Sequence, residues 1–400
     1  MQKSTVSPRT VLRIRRKCIN EIRPFGRRKR GIMEKVRIGI LGLGAISGIY
    51  LKNLTTLFKE TQVLGIYDLI PEKMEQAQKE YGIERTYSSM EELLQDPDIE
   101  VVLNLTRPFE HYATTKAALL ARKHVYSEKP LAATFEEGKE LADLARKKGL
   151  MLGGAPDTFL GAAIQTCRRL IDDGFIGRPI GATAQMICRG HESWHPSPEF
   201  YYQHGGGPMM DMGPYYLTAL VNLLGGVKGL TGLTAKSFEQ RIITSEPKSG
   251  TLVPVEVPTH VNGILQFENG AVGTITTTFD VYYDRQDKLE IYGSEGTLRV
   301  PDPNGFGGSI TLLRPEDGIF REMPLLFDYS ENSRGLGLAD MAKALRTGRA
   351  ARTDIQQTLH VLEIMTAIEI SSREGRFVEL TTSYERRPAM AHNPVRGILD

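Results

Sequence analysis

Three groups of residues in this 400-residue sequence combine side-chain types and spacings that can do chemistry. The first is Gly42-Leu43-Gly44-Ala45-Ile46-Ser47-Gly48, which follows the short apolar run from Val36. Gly42 permits a tight turn, and Gly44 lets the backbone of the turn, Ala45 and Ile46 included, approach a pyrophosphate at a helix N-terminus. Ser47 stands where the fingerprint has its third glycine. Asp68 closes the next apolar run, Gln62 to Tyr67. Its carboxylate can accept hydrogen bonds from ribose hydroxyls and would repel a 2′-phosphate, so the pattern predicts NAD(H) in preference to NADP(H). Lys73, one turn on, reads first as an exposed helical lysine and in the crevice would soften that preference. The second group is Asp211 and Tyr215, four apart in an apolar stretch that starts at Pro208 and stops at Gly225-Gly226. On a helix they share a face and project a carboxylate and a phenol together. The plainer alternatives are an acid favoured by the helix dipole and a core aromatic. The third group is Gly190-His191-Glu192-Ser193-Trp194-His195-Pro196, continuing through Phe200 to His204. A polyol stacks its C–H face on aromatics while its hydroxyls take polar partners, which marks Trp194 and His195 as substrate contacts. A buried aromatic anchoring the loop is the competing reading. His191, His195 and His204 have no acid or cysteine spacing that completes a recognised metal pattern, so no metal is expected.

These residues need a scaffold, and the first half of the chain supplies one by alternation. Strands are expected at 36–43, 62–67, 100–105, 124–127 and 150–154. Helices fall between them: one after the glycine turn to about Phe58, then 71–79, 89–94, 109–122 and 134–148. That alternation predicts a doubly wound parallel sheet. After a helix at 158–173 come strands at 180–188, 229–243, 260–267, 271–279, 288–292 and 297–300. The turns Glu268-Asn269-Gly270 and Ser294-Glu295-Gly296 favour antiparallel hairpins. The expected fold class is therefore α/β: an N-terminal Rossmann sheet and a C-terminal α+β domain with a large, mainly antiparallel open sheet. The expected divisions are a basic extension over 1–34, the nucleotide domain over 35–157, a substrate and oligomerisation domain over 158–385, and a loose tail over 386–400. A helix near 354–371 is expected to pack back on the nucleotide domain.

The segment from Thr106 to Pro130, TRPFEHYATTKAALLARKHVYSEKP, resembles the Gfo/Idh/MocA family of sugar and inositol oxidoreductases. The glycine turn and Gly205-Gly-Gly-Pro-Met-Met-Asp211-Met-Gly-Pro-Tyr215 carry the same resemblance, which spans about residues 36 to 385. Glu128-Lys129-Pro130 is its most specific element. The resemblance implies that Lys129 lies beside the nicotinamide, orients the substrate hydroxyl and assists proton transfer. A lysine in a partly desolvated cleft beside cationic NAD⁺ would have a lowered pKa. It also implies a cis peptide before Pro130, cofactor contacts from Thr106, Arg107, Pro108, His111, Glu128, Lys129 and Pro130, and substrate-hydroxyl binding or proton relay by Asp211. Arg107 departs from the apolar residue often found at its position. Tyr215 stands where the inositol dehydrogenases carry histidine. A tyrosine ordinarily titrates at about 10, so the proton acceptor is left open between Tyr215 and Lys129. A homo-oligomer, dimer or tetramer, formed through the free sheet face is a further implication.

Composition narrows the class. With 40% hydrophobic and 24% charged residues the chain can bury a sizeable core. Residues 1–32 hold eleven Lys/Arg against the single acid Glu21, so the body is mildly acidic and a nucleic-acid surface is not expected. That leader lacks the apolar stretch of a secretory signal and reads as a disordered extension ahead of Met33, with a transit-like or nucleic-acid-binding tail as the alternative. Three scattered cysteines, Cys18, Cys167 and Cys188, fit no disulfide framework and suggest the cytoplasm. No apolar run is long enough to span a bilayer. The reading is an NAD-dependent oxidoreductase acting on a sugar, cyclitol or related polyol, with catalytic Lys129, Asp211 and Tyr215. An NAD-dependent glycoside hydrolase on the same fold and a non-catalytic NAD-binding regulator are the alternatives.

Overall fold

The computed structural model describes residues 34–282, 289–391 and 395–400. The basic leader and Lys288, the expected start of one strand, lie outside the described residues. The alternation runs β1 (Val36–Leu41), α1 (Ser47–Thr56), β2 (Thr61–Tyr67), α2 (Pro71–Tyr81), β3 (Arg85–Thr86), α3 (Met90–Gln95), β4 (Val101–Asn104), α4 (His111–Leu120), β5 (His124–Ser127), α5 (Phe135–Lys148) and β6 (Leu152–Gly154). These strands form one parallel sheet in the order β3-β2-β1-β4-β5-β6. Strands β1 and β4 are almost wholly buried, as strands covered by helices on both faces must be. Local chemistry sets the helix ends. Before α5, Thr134 Oγ1 accepts from Glu137 N at 3.2 Å while the Glu137 carboxylate reaches back to Thr134 N at 3.3 Å. Strand order reverses between β1 and β4, so a crevice opens at their carboxyl ends, where ligands bind in open α/β sheets.

The second layer begins with α6 (Ala162–Asp172), β7 (Pro179–Ile187), α7 (Pro208–Leu224) and β8 (Val227–Ala235). It continues with the hairpin β9 (Gln240–Ile242) and β10 (Leu252–Pro254), then β11 (His260–Phe267), β12 (Val272–Thr278), β13 (Leu289–Gly293), β14 (Gly296–Val300), β15 (Ile310–Leu313) and β16 (Arg321–Met323). Helices α8 (Leu336–Thr347) and α9 (Ile355–Glu374) and strand β17 (Val378–Glu379) follow. Its large sheet runs β16-β15-β14-β13-β7-β12-β11-β8-β17, antiparallel except where β7 meets β12. Burial alternates strictly along β11, with one face under α7 and α9 and the other outward. Helix α9 also packs on α5 and β6, tying the two sheets together.

Two expectations need correction, and one helix was missed. The strand expected over 229–243 is two, because β8 ends at Ala235 and β9 pairs only with β10. Arg241 of β9 is drawn away from the large sheet into a buried ion pair with Asp280, at 2.8 Å, and Glu192. The tail over 386–400 is not loose where it is described. Met390 and Leu399 are buried, Leu399 N donates to Glu60 Oε1 at 2.8 Å, and Asp400 pairs with Arg352 at 2.6 Å. Helix α8 was not anticipated. Its first turn is capped from afar by Asp157, whose Oδ2 accepts from Gly335 N at 2.8 Å and Gly337 N at 3.0 Å.

Asp157 has a measurable consequence. Burial raises its pKa from 3.8 to about 6, against the opposing pull of the Gly337 N–H and Arg334. A raised carboxyl pKa means that the folded state holds its proton longer, so this contribution to stability is present below the unfolded pKa and lost as pH rises through the folded one. Denaturant unfolding of wild type and Asp157→Asn at pH 4 and pH 7 should show the wild type losing up to about 3 kcal/mol relative to the variant over that interval. A pH-independent difference between the two proteins would contradict the buried carboxyl's titration.

Candidate active site

The crevice is built from the exits of β1, β2, β4 and β5 and from the start of α7. At the β1 exit, Gly42 has φ +96°, and a Cβ there would come within 2.7 Å of the Leu105 carbonyl oxygen. Gly44 is different, because a Cβ there would meet nothing within 4 Å. The protein's own packing therefore requires Gly42 and does not require Gly44; the room beside Gly44 suits a pyrophosphate approaching the backbone. Asp68, at the β2 exit, accepts from Leu43 N at 2.6 Å through Oδ2 and from Ile70 N at 2.9 Å through Oδ1, with Lys73 Nζ 3.9 Å away. It thus shapes the glycine turn as well as presenting a carboxylate to the crevice. Gly44→Ala should leave the melting temperature unchanged and weaken NAD binding about tenfold or more. Gly42→Ala should cost roughly 1–3 kcal/mol of stability. Thermal unfolding and NAD titration of both variants separate the two roles, and equal melting losses would refute the distinction.

At the β4 exit a residue missed from sequence organises the turn. Buried Asn104 donates to the His111 carbonyl at 3.2 Å and to Thr115 Oγ1 at 3.0 Å, while its Oδ1 accepts from Thr106 N at 3.1 Å and Thr106 Oγ1 at 2.7 Å. His111 then bridges two exits, with Nδ1 2.6 Å from the Pro130 carbonyl and Nε2 3.0 Å from that of Thr106. Burial holds its pKa below the ordinary value against the opposing Pro130 and Thr106 carbonyls, and in its neutral form the ring donates to only one of the two. Arg107 lies 5.7 Å over the Phe109 ring at the crevice edge.

The β5 exit carries Glu128-Lys129-Pro130, and the Lys129-Pro130 peptide is cis. Glu128 accepts from Tyr50 Oη of α1 at 2.7 Å and from Lys129 N at 3.0 Å, so the helix behind the glycine turn and the lysine are registered by one buried carboxylate. Lys129 Nζ donates to Asp211 Oδ1 and to the Asp211 carbonyl, both at 2.8 Å, and lies 5.3 Å from the Tyr215 ring centroid. Asp211 lies in the first turn of α7, and Pro214, which has no N–H, leaves the Met210 carbonyl four residues back without its helical bond. His191 Nε2 meets the other carboxylate oxygen of Asp211 at 3.2 Å.

These contacts set the protonation states. Burial would lower the Lys129 pKa, but Asp211, then Tyr215 and Glu128, hold it above the ordinary lysine value. This corrects the expected lowering: a carboxylate at 2.8 Å outweighs desolvation. Burial likewise opposes ionisation of Asp211, and Lys129 and His191 overcome it to hold the carboxyl at about 2. Burial lowers the His195 pKa, with His191 adding to the effect.

A cleft of about 660 Å³ connects these features, running from Gly42, Gly44, Ala45, Ile46 and Asp68 past Thr106, Arg107, Pro108 and His111 to Glu128, Lys129, Pro130, His195, Asp211 and Tyr215. Trp194 does not line it. Its ring is 61% exposed and packs edge-on against His191 and His195 at 5.2 and 5.4 Å. Tyr201 lines the cleft unanticipated, and Arg334 stands 6.0 Å from the Tyr215 ring, brought there by the loop before α8. Tyr201 belongs to the aromatic loop already noted, whereas Arg334 has no local signal in the sequence.

A 3-2-1-4-5-6 parallel sheet with a glycine turn, a carboxylate at the β2 exit and a lysine–aspartate pair at the cleft floor defines a dinucleotide-dependent oxidoreductase. Comparison with known proteins agrees. Residues 36–154 match the model of the oxidoreductase family with an NAD-binding Rossmann fold, and residues 164–299 match the Gfo/Idh/MocA C-terminal domain. The chain belongs to the Gfo/Idh/MocA family. It is 26% identical over 348 residues to scyllo-inositol 2-dehydrogenase (NAD(+)) of Bacillus subtilis, covering 87% of this chain and 97% of that protein. Its fold resembles an NAD binding oxidoreductase from Klebsiella pneumoniae at a TM-score of 0.77 and 22% identity, covering 88% of this chain and 100% of the other. Levoglucosan dehydrogenase, solved with NADH and levoglucosan, gives a TM-score of 0.75 at 22% identity, covering 87% and 100% of the two chains. No described helix is long and apolar enough to cross a membrane.

Proposed function

We propose that this protein transfers a hydride between NAD(H) and a secondary hydroxyl or ketone of a sugar, cyclitol or related polyol. The observation that carries the reading is the Lys129 ammonium, 17% exposed, held at 2.8 Å by the Asp211 carboxylate where the cleft from the glycine turn meets α7. Gly42, Gly44, Ala45, Ile46 and Asp68 would hold the cofactor, with Thr106, Arg107, Pro108, His111, Glu128 and Pro130 along its course; the open space at Gly44 supports that fit. Bound NAD(H) supplies or accepts the hydride. Lys129 hydrogen-bonds the reacting oxygen. In reduction it gives that oxygen a proton, and in oxidation it takes the hydroxyl proton back. Asp211 keeps the ammonium aimed and, with Tyr215 and His195 on the cleft wall, takes neighbouring hydroxyls. The dehydrogenases of inositol and levoglucosan among its relatives support a polyol substrate.

The test is nicotinamide absorbance with purified protein, NAD⁺ and a panel of inositols, aldoses and anhydrosugars. A substrate-dependent rise is expected. Tight NAD binding with no NADH from any substrate would sink the reading, and aglycone release without net NADH would favour the glycosidase.

The reading includes a cytoplasmic homo-oligomer. The outward face of the large sheet presents Leu233, Ile264 and Val272, each at least half exposed, on three neighbouring strands, an apolar patch that a second copy can cover. Sedimentation should show a multimer that Ile264→Glu dissociates, and a monomeric wild type would refute the assembly.

A further inference from the structure

We infer that His191 is a positioning residue for the reaction: from the loop after β7 it locks the Asp211 carboxylate in the orientation that holds Lys129. This rests on the proposed hydride transfer. Asp211 has two carboxylate oxygens with different partners, Lys129 Nζ at 2.8 Å on Oδ1 and His191 Nε2 at 3.2 Å on Oδ2. Lysine alone would leave the carboxylate free to rotate about its last bond. A second donor on the opposite oxygen removes that freedom, and sub-ångström placement of a catalytic group carries large factors in rate.

The loop is constructed to deliver this one nitrogen. The His191 ring is caged by the edges of Tyr201 at 4.3 Å, Phe279 at 4.7 Å and Trp194 at 5.2 Å, and its side chain is only 12% exposed. Its carbonyl accepts from His195 N at 3.0 Å, closing the loop on itself. On either side the backbone is clamped by Arg241, which bonds the Arg189 carbonyl and the Glu192 carboxylate while pairing with Asp280 at 2.8 Å. Gly190 joins these points with φ +98°, a conformation that a side chain would resist. So much buried structure spent on one exposed-rim loop is explained by a fixed imidazole. His191 does not line the cleft. It therefore acts through Asp211, and the exposed Trp194 becomes one wall of its cage.

The test compares two substitutions that divide packing from hydrogen bonding. His191→Phe keeps an aromatic ring in the cage and loses the donor, whereas His191→Gln loses the ring and carries an amide N–H to a similar reach. With melting temperature and NAD affinity unchanged, His191→Phe should lower kcat about a hundredfold, and His191→Gln should recover most of it. A Phe variant with wild-type kcat, or a Gln variant no better than Phe, overturns the inference. Labelling of Lys129 by an amine reagent, followed by mass spectrometry, reads the same coupling without turnover. Faster labelling in the Phe variant and wild-type labelling in the Gln variant are expected, and unchanged labelling in Phe refutes the role. Absence of NADH from every polyol with this labelling pattern intact would instead retire the substrate reading alone.

Discussion

Lys129→Met lowers turnover by about a thousandfold or more while NAD binding stays near its wild-type strength. The separation follows from the architecture. The cleft surfaces assigned to the nucleotide come mainly from the β1, β2 and β4 exits, with Glu128 and Pro130 of the β5 exit beside them, whereas Nζ of Lys129 faces Asp211 at 2.8 Å on the substrate side. Methionine is close to lysine in length and keeps the packing of the aliphatic stem, but it offers neither a proton nor a positive charge to an oxygen gaining or losing one. Among the described residues it leaves the Asp211 carboxylate with His191 as its one remaining hydrogen-bond partner, so some stability is lost and melting must be measured alongside. Lys129→Arg controls for that loss. It restores a cation beside Asp211, yet a guanidinium does not release its proton at accessible pH. Steady-state kinetics on a responsive polyol should therefore find both variants inactive, with only the Met variant destabilised. Normal turnover in either would sink the assigned proton-transfer role.

Asp211→Asn has the second large effect, a fall in kcat of about a hundredfold together with a displaced pH profile. Asp211 is the largest favourable influence keeping Lys129 protonated, and it holds the lysine pKa above its ordinary value against desolvation. Oxidation of a hydroxyl needs the neutral amine, so wild-type oxidation should keep rising with pH through the alkaline range. Removing the carboxylate lets desolvation prevail, which lowers the lysine pKa and moves that rising limb toward acid. Reduction needs the ammonium and should respond in the opposite sense, losing rate at a lower pH in the variant. The carboxyl itself, held at about 2, contributes no limb in the neutral range. A profile for Asp211→Asn that coincides with wild type in shape and position would show that Lys129 is not the titrating group.

How much of this was legible without coordinates depends on the range of the interaction concerned. The parallel sheet and its glycine turn were readable because strand, turn and helix propensities act within about ten residues. Strand β11 matched its expected bounds because strict alternation marks a strand with one covered face. Asp68 was readable as a carboxylate at a strand end, but not its bonds to Leu43 and Ile70, which make it a strut of the turn as well.

What the amino-acid order determined by itself is the list of chemical groups and the local elements that carry them: the lysine before proline at a strand end, the acid and phenol one turn apart on α7, and the histidines in a loop. Tertiary structure alone decided their pairing. Lys129 and Asp211 are separated by 82 residues, His191 and Asp211 by 20, and Asp157 caps a helix 178 residues away. The sign of the Lys129 pKa shift follows from the same contacts, since desolvation and an apposed carboxylate push in opposite directions and only their distance says which prevails. No local pattern encodes that distance. It is the product of two sheets, tied by α9, that bring the exit of one strand against the first turn of one helix.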